Sequence, residues 1–281
     1  MTITPGVRSF STPRRLVAGL LFLAACQPRP AATPAPSSGP PPQAAPRVEP
    51  APVADGRMLL AAMHDRYPAW YRTITFVQKT TIYRDNGQLV QTWYEAGALP
   101  GRLRIDTDLA VKAGQLFAHD SIFSISNGRL MRADRGLNEL LVLGFDVYTQ
   151  PVSRTAEQLS GLGFDLAKAH EDIWKGKRVV VVGALDGDTT SKQFWVDRDD
   201  LLFVRYIGQS ARGRADVRFD RYEPIGSGWI AKEVVQIVNG RTTLREEYSD
   251  IRVDVPLSDA LFDAAQWSTV KHWYTKPPKH F

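Results

Sequence analysis

Cysteine is almost missing from this chain: Cys26 is the only one in 281 residues, so no intramolecular disulfide can form. No apolar run reaches the 18 or more residues that read as a membrane-spanning helix. There is no Gly-x-Ser-x-Gly nucleophile elbow, Walker loop, Gly-x-Gly-x-x-Gly or His-Glu-x-x-His. The five histidines (His64, His119, His170, His272, His280) are scattered. His170, Glu171 and Asp172 come nearest to a metal cluster, but neighbouring strand residues point to opposite faces and do not converge. Asp197-Arg198-Asp199-Asp200 lacks the glycine and distal glutamate of an EF-hand and reads as a solvated turn. These absences leave no expected metal, cofactor or catalytic group. Basic blocks are lacking too, which removes the electrostatic signature of nucleic-acid binding.

What is present begins at the N-terminus. Arg8, Arg14 and Arg15 form a basic region, Leu16 to Leu23 an apolar run too short to span a bilayer, and Leu23-Ala24-Ala25 places small residues before Cys26. Residues 1–25 read as a cleaved export signal, and Leu23-Ala24-Ala25-Cys26 resembles the bacterial lipobox, whose cysteine is lipidated. Pro13 and the missing rest of a twin-arginine pattern favour ordinary secretion. Cleavage removes three arginines and no acids, lowering the formal charge from +5 to +2, so the basic isoelectric point is partly that of the signal. Gln27 in place of Asp fits retention at the outer membrane under the enterobacterial sorting rule. The expected location is the bacterial cell envelope, with the protein lipid-anchored in the inner leaflet of the outer membrane and facing the periplasm.

Residues 26–55 hold ten of the nineteen prolines, diluted with Ala, Ser and Gln. Such a composition cannot bury a core. Extended as polyproline II at ~3.1 Å per residue, the segment would reach on the order of 90 Å as a tether.

Residues 56–281 are long enough for one domain. Asp55 caps a helix whose Met58, Leu59, Ala62 and Met63 face one way, ended by Pro68. The period then switches to two. Ile74, Phe76, Gln78, Thr80 and Ile82 alternate with their neighbours, Asn86-Gly87 supplies a type I′ hairpin signal, and similar stretches run to Ala133, with Asn127-Gly128 joining the last two. Between Leu137 and Gly163 the spacing turns helical, at Leu137, Leu140, Leu141 and Val142 and again at Ala156, Leu159 and Leu162, with Ser153 as a candidate cap. Strand signals resume from Ala169 to Val253, with turns at Lys175-Gly176, Asp186-Gly187, Asp199-Asp200 and Asn239-Gly240. About eleven antiparallel strands and three or four helices are expected. Lys271 to Phe281 reads as a loosely held terminus on which Trp273, Tyr274 and Phe281 are able to dock.

Several strands carry large apolar groups on both faces: Phe194 and Val196 oppose Trp195, and Val204 and Tyr206 oppose Phe203 and Ile207. A sheet with one wet face would alternate cleanly, so both faces need cover. A curved sheet around helices meets that need either with a shallow hydrophobic cavity or with a fully packed core.

Four pieces in order carry a resemblance: the helix leading into Ile74-Thr-Phe-Val-Gln78; Leu99-Pro-Gly-Arg-Leu-Arg-Ile-Asp106; Ser191-Lys-Gln-Phe-Trp-Val-Asp197 with Leu201-Leu-Phe-Val-Arg-Tyr206; and Val255-Pro-Leu-Ser-Asp-Ala-Leu-Phe262. Together they resemble the LolA/LolB-like superfamily of outer-membrane lipoprotein-sorting and lipid-binding proteins. The resemblance implies an α+β fold: an unclosed, strongly curved antiparallel half-barrel with helices plugging and capping the concave face, and acyl chains received between them. In soluble carriers of this kind a basic residue before the proline helps hold the lid; here Leu99 stands there, with Arg102 and Arg104 after Pro100. That departure and the lipid anchor favour an anchored acceptor. The expected ligand is a lipid or lipoprotein acyl chain, without catalysis, against Phe76, Trp93, Leu103, Phe123, Leu140, Leu141, Phe194, Val204, Phe219 and Ile237. Two other readings stand beside it: an interaction lipoprotein with an envelope protein partner, and a hydrolase of lipid or cell-wall esters.

Overall fold

The computed structural model describes residues 53–277. Cys26, most of the proline-rich stretch and Phe281 lie outside the described residues.

Asp55 opens helix α1 (Gly56–Arg66), its Oδ1 accepting the Met58 N–H at 2.9 Å. The buried stripe is Gly56, Leu59, Leu60 and Met63, whereas the expected Met58 is 50% exposed. Gly56 sets this rotation. Its N–H donates to the Leu166 carbonyl at 2.7 Å, and a Cβ there would lie 2.6 Å from the Val182 side chain.

Thirteen strands follow rather than about eleven. They are β1 (Thr73–Arg84), β2 (Gly87–Ala98), β3 (Arg102–Asp108), β4 (Ala113–Ala118), β5 (Ser121–Ser126), β6 (Arg129–Arg135), β7 (Ala169–Trp174), β8 (Lys177–Val182), β9 (Gln193–Asp197), β10 (Phe203–Ser210), β11 (Gly213–Ile225), β12 (Gly228–Val238) and β13 (Arg241–Val253). All pair antiparallel in one sheet of order β6-β5-β4-β3-β2-β1-β13-β12-β11-β10-β9-β8-β7. Among the described residues β6 and β7 are free edges, so the sheet is unclosed. Register shifts mark bulges with the extra residue on β3, β6, β10 and, at two places, β13; bulges bend strands and raise their twist.

The connection from β6 to β7 has to travel from one edge of the sheet to the other. It contains α2 (Glu139–Gly144), a 3₁₀ turn (Asp146–Tyr148) and α3 (Val152–Gly161), and these, with α1, cover the inner face. Asn138 caps α2, its Oδ1 accepting from the Leu140 and Leu141 N–H groups at 2.9 and 3.3 Å. Helix α3 starts after Pro151 without a side-chain cap, and Ser153 lies inside the helix instead of capping it. Pro151 is itself the N-cap residue, and its carbonyl accepts the Arg154 and Thr155 N–H groups at 2.9 and 3.2 Å.

The turns at Asn127-Gly128, Lys175-Gly176 and Asn239-Gly240 carry positive φ at both residues, as type I′ hairpins require. At the first hairpin Arg84 pairs with Gly87, so Asp85-Asn86 are the central residues, one position earlier than expected, and Gly87 takes the positive φ.

Both faces are covered, by different means. Inside, Leu59, Leu60, Met63, Leu141, Leu143, Tyr148 and Leu159 pack on Ile74, Phe76, Leu103, Val180, Phe194, Phe203 and Phe219. Outside β2 to β5, Ala96, Ala98, Leu116, Ala118 and Ile125 receive Leu261, Phe262 and Trp267 from the segment after β13. Small residues permit this approach: a Cβ on Gly114 would meet the Ile105 carbonyl oxygen at 2.0 Å and the Trp267 ring at 2.8 Å. Buried Arg104 forks onto Asp106 through two 2.9 Å bonds and stacks 3.7 Å over the Trp267 ring. His272 Nε2 adds a 3.0 Å contact to Asp106, and Tyr274 packs on Tyr94. Of the tail expected to be loose, His272, Trp273 and Tyr274 are docked, while Thr275, Lys276 and Pro277 are exposed. Outside β8 to β10, Val179, Val181, Ala184 and Val204 pack with Trp174 and Trp195.

Candidate functional site

Residues paired across strands point to the same side, so register assigns each side chain to a face. Phe76 stands in the helix-covered core and pairs with Glu95. Hence Gln78 with Trp93 and Tyr248, and Thr80 with Gln91 and Glu246, face inward as well. The next row is Ile82, Leu89, Leu244 and Gln236.

The inner face thus has two regions. One is apolar and filled by the helices; Phe76, Leu103, Leu141, Phe194 and Phe219 lie there, with Leu140 partly buried against it. The other, at the hairpin ends of β1, β2 and β13, is polar. Its Trp93, Leu244, Glu246 and Tyr248 are only half-buried although they stand on central strands, so the helices leave this part of the inner face partly uncovered.

The ten ligand candidates separate accordingly. Trp93 is inward but belongs to the polar region, its indole N–H donating to Gln91 Oε1 at 3.2 Å. Phe123, Val204 and Ile237 are on the outer face. Phe123 packs with the Leu261, Phe262 and Trp267 cluster, Val204 with Val179 and Val181, and Ile237 pairs with Asp216, whose carboxylate is forked by Arg205 outside. A bulge explains Val204: it is the unpaired residue between Phe203 and Arg205, and one extra residue reverses the alternation beyond it. Phe123 and Ile237 stand on strands that alternate without an extra residue, and register alone puts their face outside, Phe123 opposite Leu116 and Ile237 opposite Asp216.

Sequence reasoning missed the polar group of the inner face. Glu95 is 6% exposed and Gln78 fully buried. Tyr248 donates to Glu246 Oε2 at 2.6 Å, and Gln78 Nε2 donates to Thr80 Oγ1 at 2.8 Å. Gln78 Oε1 is buried with no donor. The Glu95 carboxyl makes no side-chain hydrogen bond among the described residues. Burial, reinforced by the charge of Glu246, pushes the Glu95 carboxyl well above its ordinary range. Burial also lifts Glu246 to about 7 against hydrogen bonds from Tyr248 and Gln78 that favour its ionised form. The signal was available: Gln78 and Thr80 interrupt the otherwise apolar Ile74, Phe76 and Ile82 on one face of a strand.

A second buried acid holds the helical plug. Asp146, at the 3₁₀ turn, accepts the Gly101 N–H at 2.8 Å and is lifted by burial to about 7. Arg72 Nη1 donates to the Thr149 carbonyl at 2.7 Å, and Lys192 reaches both the Leu162 carbonyl at 2.9 Å and Glu139 at 3.7 Å. A separate amphipathic cavity of about 330 Å³ opens between Trp174, Leu202, Val204, Tyr222 and Trp229. Among the described residues no group of three or more His, Cys, Asp or Glu is placed to hold a metal ion.

No protein-family model matches the sequence, and no curated protein sequence matches it either. Solved structures do match. An outer membrane lipoprotein-sorting protein domain of Vibrio parahaemolyticus superposes with a TM-score of 0.51 at 14% identity, covering 76% of this chain and 98% of that one. The fold is LolA/LolB-like. A DUF1329 family protein of Desulfovibrio piger gives 0.48 at 16% identity, covering 75% and 96% of the two chains. A LolA superfamily protein of Nitrosomonas europaea gives 0.47 at 11%, covering 75% and 98%. At these identities the likeness speaks to the fold alone. The LolA/LolB-like fold accounts for the plug: helices α2 and α3 are the inner-face elements that the β6-to-β7 connection must supply.

Proposed function

We propose that this chain is a lipoprotein of the bacterial envelope, anchored through Cys26 and held off the membrane by residues 26–55, whose domain from residue 56 onward binds acyl chains between its helices and the inner face of its sheet. The observation that carries this reading is the contiguous apolar surface of Phe76, Leu103, Leu141, Phe194 and Phe219 inside an unclosed sheet. The naming of the Vibrio parahaemolyticus domain for lipoprotein sorting supports it.

The inner face is filled by its own helices, so an entering chain exchanges one apolar neighbour for another. The driving force is then the dehydration of the acyl chain itself. At ~0.8 kcal/mol per methylene, eight sequestered methylenes give roughly 6 kcal/mol before ordering costs. Helix α2 is six residues long, which makes it the element easiest to displace. The reading requires no chemical step, and the protein acts as receiver or local handler of lipid.

The test is native mass spectrometry of the Cys26→Ser chain, which cannot carry its own anchor, together with displacement of a fluorescent fatty acid. A co-purifying acyl species or saturable displacement is expected. A clean apo mass in detergent-free buffer with no probe binding contradicts the proposal.

A further inference from the structure

We propose that the polar corner of the inner face, formed by Gln78, Trp93, Glu95, Glu246 and Tyr248, is a headgroup subsite for an amphiphile bearing a primary ammonium. This rests on the acyl-binding reading and names the class of ligand it would take.

The chemistry is a surplus of acceptors. Gln78 Oε1 is fully buried and lacks a donor, while the same amide's Nε2 serves Thr80 and Glu246. The Glu95 carboxyl has no protein donor among the described residues, and Glu246 receives Tyr248 and Gln78. No cation acts on either acid: the groups that do are each other, Tyr248 and Gln78. Each neighbouring strand is accounted for. On β1 the inward groups are Gln78 and Thr80, and Lys79 pairs with Glu247 on the other face. On β3 Ile105 stands beside Glu95, and on β12 Val234 stands beside Glu246. Lys232 is engaged with Glu223, and Tyr222 of β11 acts on Tyr248 only through space.

A buried acceptor without a donor is unfavourable, and so is ionising a buried carboxyl that has no counter-charge, which is why burial favours the protonated acids in the free site. An ammonium supplies three N–H donors and the missing positive charge together. The aromatic groups suit it as well. Phe76 and Tyr248 pack with centroids 4.5 Å apart, and Trp93 shares the Gln78 row, so a cation in the corner meets ring faces as well as carboxylates. The apolar region continues from this corner through Phe76, so a chain attached to the ammonium has a path under the helices.

The experiment compares dodecylamine, dodecanol and butylamine on the Cys26→Ser chain by calorimetry. At pH 8 dodecylamine is expected to bind about tenfold or more tighter than dodecanol, as charge-assisted bonds are stronger than neutral ones. It should release protons from the carboxyls, seen as a heat that differs between buffers of different ionisation enthalpy. Glu95→Gln and Glu246→Gln should each reduce the amine preference while leaving dodecanol binding in place. Equal affinity for amine and alcohol, an undiminished preference in both variants, butylamine binding as tightly as dodecylamine, or no proton release from the unmutated site would overturn the subsite. Dodecanol binding without amine preference sinks the subsite alone. If neither long chain binds, the acyl reading fails and the subsite with it.

Discussion

Raising the pH from 5 to 8 should weaken this fold, and the inner-face acids are the reason. Glu95, Glu246 and Asp146 all have carboxyls whose folded pKa lies above the unfolded value, chiefly through burial. A raised acid contributes stability that is complete below its unfolded pKa and is lost as pH rises through its folded pKa. Glu246 moves from 4.5 to about 7, which at 1.36 kcal/mol per unit corresponds to about 3 kcal/mol. Its half-buried position, in partial contact with water, trims this to about 1–2 kcal/mol. Asp146 moves from 3.8 to about 7 while buried, corresponding to about 4 kcal/mol. The assay is urea unfolding of the Cys26→Ser chain at half-unit pH steps. Stability should fall by several kcal/mol between pH 5 and pH 8. Asp146→Asn keeps an acceptor for the Gly101 N–H and should remove a larger share of the slope than Glu246→Gln. A flat or rising profile across this window would refute the assignment of these carboxyls as buried and unpaired by cations.

Arg104→Ala should destabilise by about 3–5 kcal/mol in the same unfolding assay, because Asp106 would keep its burial without the guanidinium. Trp267 should also become more solvent-exposed, as read by its fluorescence. Gly114→Ala should cost about 3 kcal/mol or more through overpacking, since its Cβ would overlap the Ile105 carbonyl and the Trp267 ring; an unchanged midpoint would contradict the seating of the C-terminal segment. Cys26→Ser should move the protein from the membrane fraction to the soluble fraction; unchanged fractionation would overturn the lipobox reading.

The strands were legible because their alternation is strong and hairpins such as Asn127-Gly128 and Asn239-Gly240 punctuate it. Even the edge strand β6 was marked, by Asn127-Gly128, although its exposed Leu130 and Met131 give it no buried face. The plug was legible from the helical spacing around Leu140 and Leu159. Alternation does not say which face is the inner one: Phe76, Leu103, Phe194 and Phe219 stand in the helix-covered core, Phe123 and Ile237 stand outside by register, and Val204 is turned outward by the bulge at its own position. The docking of the tail depended on a long-range pairing of Arg104 and Asp106 with Trp267 and His272, which no local pattern encodes. Glu95 and Glu246 escaped notice because a glutamate in a strand reads as solvated until its register partner, here Phe76 or Thr80, is known.

Acyl binding under the helices is tested most directly by photo-crosslinking with a fatty acid carrying a terminal diazirine, followed by peptide mapping. Saturable adducts are expected on the inner-face residues Phe76, Leu141, Phe194 and Phe219. Adducts confined to outer-face positions such as Val204, Ile237 and Phe123, or labelling that excess unlabelled fatty acid does not suppress, would contradict it.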